Sequence, residues 1–191
     1  MLTPSEMGAW LNDHLADGDD YFRLETLDSY GSLAEDAEFR AWRTGESLPD
    51  NPARTDWIAH IRRHTTAVAV GGHGQRWRKV HVVSGPLSLY EQFAIEFGLA
   101  LNTAAGEQNR VLEVSDRAHL VHNVGDFYMI NRKLVLALNY DDTGKLHGAD
   151  VIQGRAAGAL VAVADLAWEQ ATPIDQWRRE HPEYRTAVSA A

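Results

Sequence analysis

Between Trp77 and Val114 the local preference of the chain changes twice. Trp77 to Val83 is rich in β-formers, Tyr90, Phe93, Ala94 and Phe97 fall at helical spacing behind Pro86, and Asn109 to Val114 returns to strand character. A strand, a helix and a strand in that order leave room for a crossover. Two neighbouring parallel strands need such a crossover, because a two-residue turn can join only antiparallel ones. The segment predicts a βαβ-like unit with its helix beginning at Pro86, and the rest of the chain has to be arranged around it.

Downstream the pattern is that of hairpins. Asp126 to Ile130 and Lys133 to Tyr140 read as two strands around a tight Asn131-Arg132 turn, and Asp141-Asp142-Thr143-Gly144 is a hairpin turn into a strand from Leu146 to Ile152. From Ala156, residues Leu160, Val161, Ala164, Ala167 and Trp168 mark a helix, which Thr172-Pro173 interrupts before a short helix restarts.

Upstream, Thr3 can cap a helix with Pro4 at its first position and Glu6 completing a capping box, and Met7, Trp10, Leu11, His14 and Leu15 supply its buried face. Tyr21 to Leu27 reads as a short strand or an extended connector. Ser32 and Glu35 repeat the capping-box signal for a helix reaching Trp42. Asn51-Pro52 opens a third helix with Trp57, Ile58, Ile61, Thr65 and Val68 on one face, and Gly71-Gly72-His73-Gly74 ends it. The expectation is an α+β fold: a mainly helical region over 1–70, a mixed sheet with helices over 75–172, and a fraying tail over 186–191, all in a single domain over 1–191.

The chain has 45% hydrophobic and 24% charged residues, the balance of a folding sequence rather than a disordered one. It has no cysteine, which excludes disulfides, thiolate metal sites and thiol nucleophiles, and fits a cytoplasmic protein. No apolar run approaches the ~18 residues of a membrane span. Eighteen basic against 27 acidic residues give a formal net charge of −9, which repels a phosphate backbone and argues against direct nucleic-acid binding. Arg76-Trp77-Arg78-Lys79, beside His81, is the densest basic cluster, but in a strand its members divide between two faces.

Each familiar catalytic pattern lacks a required partner. His60 and His64 lie four apart on a helix, yet Ile61 stands where a zinc protease needs glutamate. Gly71-Gly72-His73-Gly74 precedes a strand and has no P-loop lysine. Ser84 lies near His81 without a nucleophile elbow, and Val83-Ser84-Gly85-Pro86 reads as a strand-to-helix cap. Asp141 and Asp142 lack the oxygen-ligand spacing of a calcium loop. No metal and no cofactor is expected. What remains is a polar set of Glu91, Glu96, Asn102, Glu107 and Asp126 around the aromatic middle helix, with Arg78, Arg110 or His81 as partners if the fold brings them together.

The chain resembles an actinobacterial domain-of-unknown-function family often encoded beside helix-turn-helix regulators. The resemblance runs from about Tyr21 to Trp168. It rests on Phe22-Arg23-Leu24-Glu25 with Tyr30, Trp77 to Val83, Pro86 to Tyr90, Asn102 with Ala105-Gly106-Glu107, Gly125 to Tyr128, and Tyr140 to Gly144. Val124 to Asn139 is also similar to the strand-turn-strand of a phospholipase D half-domain. Laying that family's aspartate on Asn131 puts Asp126 at its lysine and Val124 at its histidine, so the likeness implies a degenerate site.

The first family's neighbourhood implies a non-enzymatic regulatory or ligand-sensing domain whose partners are a helix-turn-helix regulator and a small polar ligand. Arg78, His81, Tyr90, Glu96, Glu107, Asp126 and Tyr128 are the candidate ligand contacts. The alternative is a small metal-independent biosynthetic enzyme in which a carboxylate and His81 carry out acid–base chemistry.

Overall fold

The computed structural model describes residues 1–31, 37–69, 74–116 and 119–184, with the side chains of 67–69 left out. The Ser32–Glu35 capping box, the connector Gly71-Gly72-His73 and the tail over 186–191 therefore lie outside the described residues, as does the side chain of Val68.

Among the described residues, seven strands form one mixed sheet in the order β6-β5-β4-β1-β2-β3-β7. They are β1 (Asp20–Glu25), β2 (Arg76–Ser84), β3 (Gln108–Val114), β4 (Phe127–Ile130), β5 (Leu134–Tyr140), β6 (Leu146–Ile152) and β7 (Thr172–Pro173). β1, β2 and β3 run parallel, and every other pairing is antiparallel. The fold is α+β, and the crossover between β2 and β3 is the βαβ unit that the alternation of residue types demands. Residues Tyr21 to Glu25 are a strand rather than a connector. Although they belong to the mainly helical N-terminal stretch, they sit in the middle of the sheet.

The helices are α1 (Pro4–His14), α2 (Ala37–Thr44), α3 (Pro52–Ala69), α4 (Leu89–Phe93), α5 (Ala100–Ala104), α6 (Leu120–Asn123), α7 (Gly154–Gln170) and α8 (Ile174–Glu180). A π-helical segment, Ala94–Leu99, joins α4 to α5 without a break. α1 begins with the complete Thr3–Glu6 capping box. The crossover helix does not begin at Pro86. Its cap is Ser88, whose hydroxyl accepts from Glu91 N at 3.1 Å while the Glu91 carboxylate accepts from Ser88 N at 2.6 Å. This reciprocal pair satisfies two helix-end donors, which a strand-end serine four residues earlier cannot reach. Asn131 and Arg132 both have positive φ, 51° and 60°, and with Lys133 they make the tight three-residue connection between the paired Ile130 and Leu134, so β5 begins at Leu134 instead of Lys133. Thr172-Pro173 interrupts the C-terminal helices by adding a short edge strand to β3.

Strand side chains alternate, so the sheet has two different faces. One carries Phe22, Leu24, Val80, Val82, Leu112 and Met129, packed on Ala157, Val163, Ala164 and Ala167 of α7. At roughly 1.5–3 kcal/mol for each large side chain removed from water, this face is the main apolar core. The opposite face is apolar only at its ends. Tyr21, Trp77 and Ile130 pack near α1 and α3, while Val83 and Val111 pack with Ile95, Leu99 and Trp177. Between these ends lies a buried polar band. Among the described residues no helix is long and apolar enough to cross a membrane.

Candidate functional site

The band is fixed by strand register. In the parallel pair β1/β2, Arg23 stands opposite Lys79 and Glu25 opposite His81. β4 places Tyr128 across from Arg23, and β3 places Asn109 across from Lys79. Central parallel strands are covered on both faces, so these polar side chains are enclosed instead of solvated. Arg23, Lys79, His81 and Asn109 are each less than a tenth exposed.

Enclosure demands pairing, because an isolated buried charge is costly. Arg23 forms a buried ion pair with Glu107. Asn102, on α5, donates from Nδ2 to the other Glu107 oxygen at 2.9 Å. Burial, the largest single influence, raises the Glu107 carboxyl, but the charges of Arg23 and Lys79 together with the Arg23 hydrogen bond hold the group below its ordinary range. Lys79 Nζ lies 2.7 Å from Glu25 Oε1, and His81 Nδ1 lies 3.5 Å from Glu25 Oε2. Glu25 is likewise pushed up by burial and pulled further down by Lys79, His81 and Arg23, so it is ionised throughout the neutral range. His81 is fully enclosed, and neither of its ring nitrogens makes a hydrogen bond among the described residues, so Glu25 is a neighbour of Nδ1 and not its acceptor.

Asp126 organises a second cluster. One of its oxygens accepts from Thr26 N at 2.7 Å and Thr26 Oγ1 at 2.8 Å, and the other accepts from the hydroxyls of Tyr30 at 2.6 Å and Tyr140 at 3.1 Å. Burial raises its carboxyl, against the opposing pull of these hydrogen bonds. Tyr30 meets both Tyr90 and Tyr140 edge-on, with ring centroids 5.7 and 5.6 Å apart.

Above the band opens a cavity of about 640 Å³, in the range of small-molecule sites. Glu25, Lys79 and Asn102 contribute polar groups to its lining, and Trp57, Tyr90, Phe93 and Tyr128 contribute aromatic ones. The π-helical segment lines it with Ala94, Gly98 and Leu99, and π turns recur at functional sites. A Cβ at Gly98 would meet nothing within 4 Å, so the absence of a side chain there leaves the cavity its room. Lys145 stands at its rim on the β5–β6 hairpin. Beside it the loop after β1 closes against the hairpin, with Gly31 N donating to Gly144 O at 3.0 Å. A Cβ at Gly31 would lie 2.3 Å from Thr143 O, so only glycine allows this approach.

The candidate contacts named from sequence divide into three groups. Tyr90 and Tyr128 line the cavity; burial pushes the Tyr128 hydroxyl up to about 12. His81, Glu107 and Asp126 lie beneath or beside it, each holding a group that does. Arg78 and Glu96 are elsewhere. Arg78 projects to the other face, paired with Asp20 and stacked on Trp168, and Glu96 accepts from Trp42 Nε1 at 3.0 Å. Of the wider polar set, Asn102 lines the cavity, Glu91 caps α4, and Arg110 stacks on Trp168, its guanidinium 4.1 Å from the ring centroid. Sequence reasoning missed Arg23, Glu25, Lys79, Arg54 and Trp57. The first three sit on β1 and β2 at positions that alternation alone would assign to solvent, and only the sheet order, which makes these strands central, encloses them.

The other sequence patterns have structural roles. His60 and His64 stack with Trp57 and Trp77. Asp141 Oδ1 accepts from Thr143 N, Thr143 Oγ1 and Lys145 N, which builds the turn and lowers its carboxyl to about 2. At the positions aligned with the phospholipase motif, Val124 ends α6, Asp126 is the tyrosine anchor and Asn131 caps Asp20 N. Among the described residues no three His, Asp or Glu side chains are grouped to hold a metal.

No curated protein and no solved structure matches the chain. Residues 11–179 match the family described as Domain of unknown function (DUF6879), a span that includes every residue of the buried band and its cavity, and the chain belongs to that family.

Proposed function

We propose that the domain is a non-enzymatic ligand-sensing module of the cytoplasm, whose cavity takes a small polar molecule and whose occupancy is read by a helix-turn-helix regulator. One observation carries the ligand-binding half of this reading: a roomy, aromatic-walled cavity lies over a polar band whose carboxylates are already held by partners. Such a surface is preorganised to hold a molecule, since binding requires little rearrangement of the side chains that meet it. The regulator as partner is supported by the family resemblance alone.

The test is a thermal-shift screen of small metabolite-like molecules on the wild-type chain and on Gly98→Leu, whose side chain fills open cavity space. A ligand at ~100 times its dissociation constant adds about 2.7 kcal/mol, a rise of roughly 5–10 °C for a chain of this size. Hits should act on the wild type and not on Gly98→Leu. If the two proteins respond alike, the cavity is not the binding site. Titrating the occupied and empty domain against any helix-turn-helix regulator found encoded beside it then tests the partner.

A second reading, acid–base catalysis, is favoured by the contact between Glu25 and His81. Glu25 would meet the substrate, with His81 behind it as the positioning residue. Chemical conversion of a bound hit, abolished in Glu25→Gln, would select this reading over sensing.

A further inference from the structure

We infer, resting on the cavity reading above, that the ligand is a small aromatic carboxylate: a flat ring bearing one organic anion. Around the cavity, most acceptors are already used and several donors are not. Glu25 gives one oxygen to Lys79, and the other lies 3.5 Å from His81 Nδ1 without a hydrogen bond among the described residues. Glu107 is held by Arg23 and Asn102. Asp126 takes four donors. Glu38, beside the cavity, takes Arg54 Nε and Nη2 together with Asn51 Nδ2. Glu107, Asp126 and Glu38 are hydrogen-bonded at both oxygens, and Glu25 at the one that meets Lys79.

The donors are not used up in the same way. Lys79 has three N–H bonds and meets one acceptor among the described residues, with its side chain 8% exposed. Arg54 spends Nε and Nη2 on Glu38 and retains Nη1 among the described residues. The Tyr90 hydroxyl and the Lys145 ammonium meet no side-chain or backbone acceptor among them. All four residues line the one cavity. A bound molecule must therefore supply acceptors, and a buried ammonium with N–H to spare is best met by an anion. Among the described residues a cationic ligand would find one carboxylate oxygen without a hydrogen bond, Glu25 Oε2, and reaching it would bring the ligand's charge beside the Lys79 ammonium on the same carboxylate. The deep cation is a single lysine, a point charge instead of an arginine fork, which suits a carboxylate of one charge better than a phosphate. The rest of the wall, Trp57, Tyr90, Phe93 and Tyr128, offers ring faces and edges to a planar apolar group.

Three molecules that share a ring and differ in charge test this on the full chain by calorimetric titration: indole-3-acetate, indole-3-acetamide and tryptamine. The acetate should bind most tightly. The amide should bind roughly tenfold or more weakly, the scale of one charge-assisted hydrogen bond, and the amine more weakly still. Lys79→Met should erase the preference for the acetate. Because that variant leaves Glu25 without its cation and can unfold, Lys145→Ala provides a second arm: an exposed rim position whose loss should weaken the acetate several-fold and leave the amide unchanged. Gly98→Leu should abolish binding of all three. Tryptamine binding as tightly as the acetate, and lost in Gly98→Leu, would overturn the anion class and leave the cavity reading standing. Binding of all three that survives Gly98→Leu would overturn the cavity reading itself. No binding by any of the three at millimolar concentration would overturn the aromatic-carboxylate class, and the wider thermal screen would still decide the cavity.

Discussion

Replacing Arg23 by methionine tests whether the buried band is held by mutual charge. The side chains of Arg23 and Glu107 are 8% and 0% exposed, so neither charge has water to fall back on. In Arg23→Met, Glu107 keeps the Asn102 amide at 2.9 Å and loses its counterion. Breaking one side of such a pair costs about 3–5 kcal/mol, or roughly 6–20 °C in midpoint for a chain of this length. Urea unfolding followed by tryptophan fluorescence measures it. Adding Glu107→Gln removes the stranded charge while preserving an acceptor for Asn102, so the double variant should recover on the order of 2 kcal/mol of that loss.

The effect also has a definite pH sign. In the wild type, Glu107 is held below its ordinary value, so its contribution is present at neutral pH and is lost as pH falls through its folded value. In Arg23→Met, burial is opposed by the Lys79 charge without that of Arg23, and the folded value rises. The resulting penalty is largest at neutral pH and fades as the carboxyl protonates. The stability gap between wild type and variant should therefore narrow as pH falls from 7 toward about 4.5. A gap under 1 kcal/mol, a gap independent of pH, or strict additivity with Glu107→Gln would refute the pairing as the organising interaction.

Ser88→Ala should destabilise the chain by about 1 kcal/mol in the same unfolding assay, because it removes the side-chain half of the α4 capping box. Gly98→Ala should stabilise it by roughly 0.5–1 kcal/mol, since the new methyl group enters open space and alanine is the better helix former. Gly31→Ala should cost about 1–3 kcal/mol and speed amide exchange at Gly31, whose N–H is held by Gly144 O, because the added carbon collides with the Thr143 carbonyl.

The elements written in short-range chemistry were legible from sequence. The Thr3–Glu6 box, the Asn131-Arg132 turn, the Asp141–Gly144 hairpin and the parallel crossover from Trp77 to Val114 each depend on residues close together in the chain. The start of the crossover helix was misplaced because Pro86 and Ser88 both carry N-terminal signals, and the reciprocal bonds of Ser88 and Glu91 decide between them only in three dimensions. The site was less legible for the same reason. Arg23, Glu25 and Lys79 look like the solvent side of an ordinary amphipathic strand until β1 is known to lie between β2 and β4. Glu107 and Asp126 were picked out for their charge, but their partners, Arg23, Tyr30 and Tyr140, are brought to them by sheet order. Arg78, one residue before Lys79, falls on the opposite face by the same alternation.

The π-helical segment between α4 and α5 has a consequence for how this cavity could be remodelled. An α-helix advances about 100° per residue. Removing one residue from Ala94–Leu99 so that the run closes up as plain α-helix would leave Ser88, Tyr90 and Phe93 in register with the sheet. Everything after the deletion would be turned by about a quarter of a revolution. Asn102 would swing off Glu107, and the opening at Gly98 would be carried away from the aromatic wall. The two ends of one continuous helix are thus phased independently, one to the capped edge and one to the buried charges, and the extra residue between them sets the shape of the chamber.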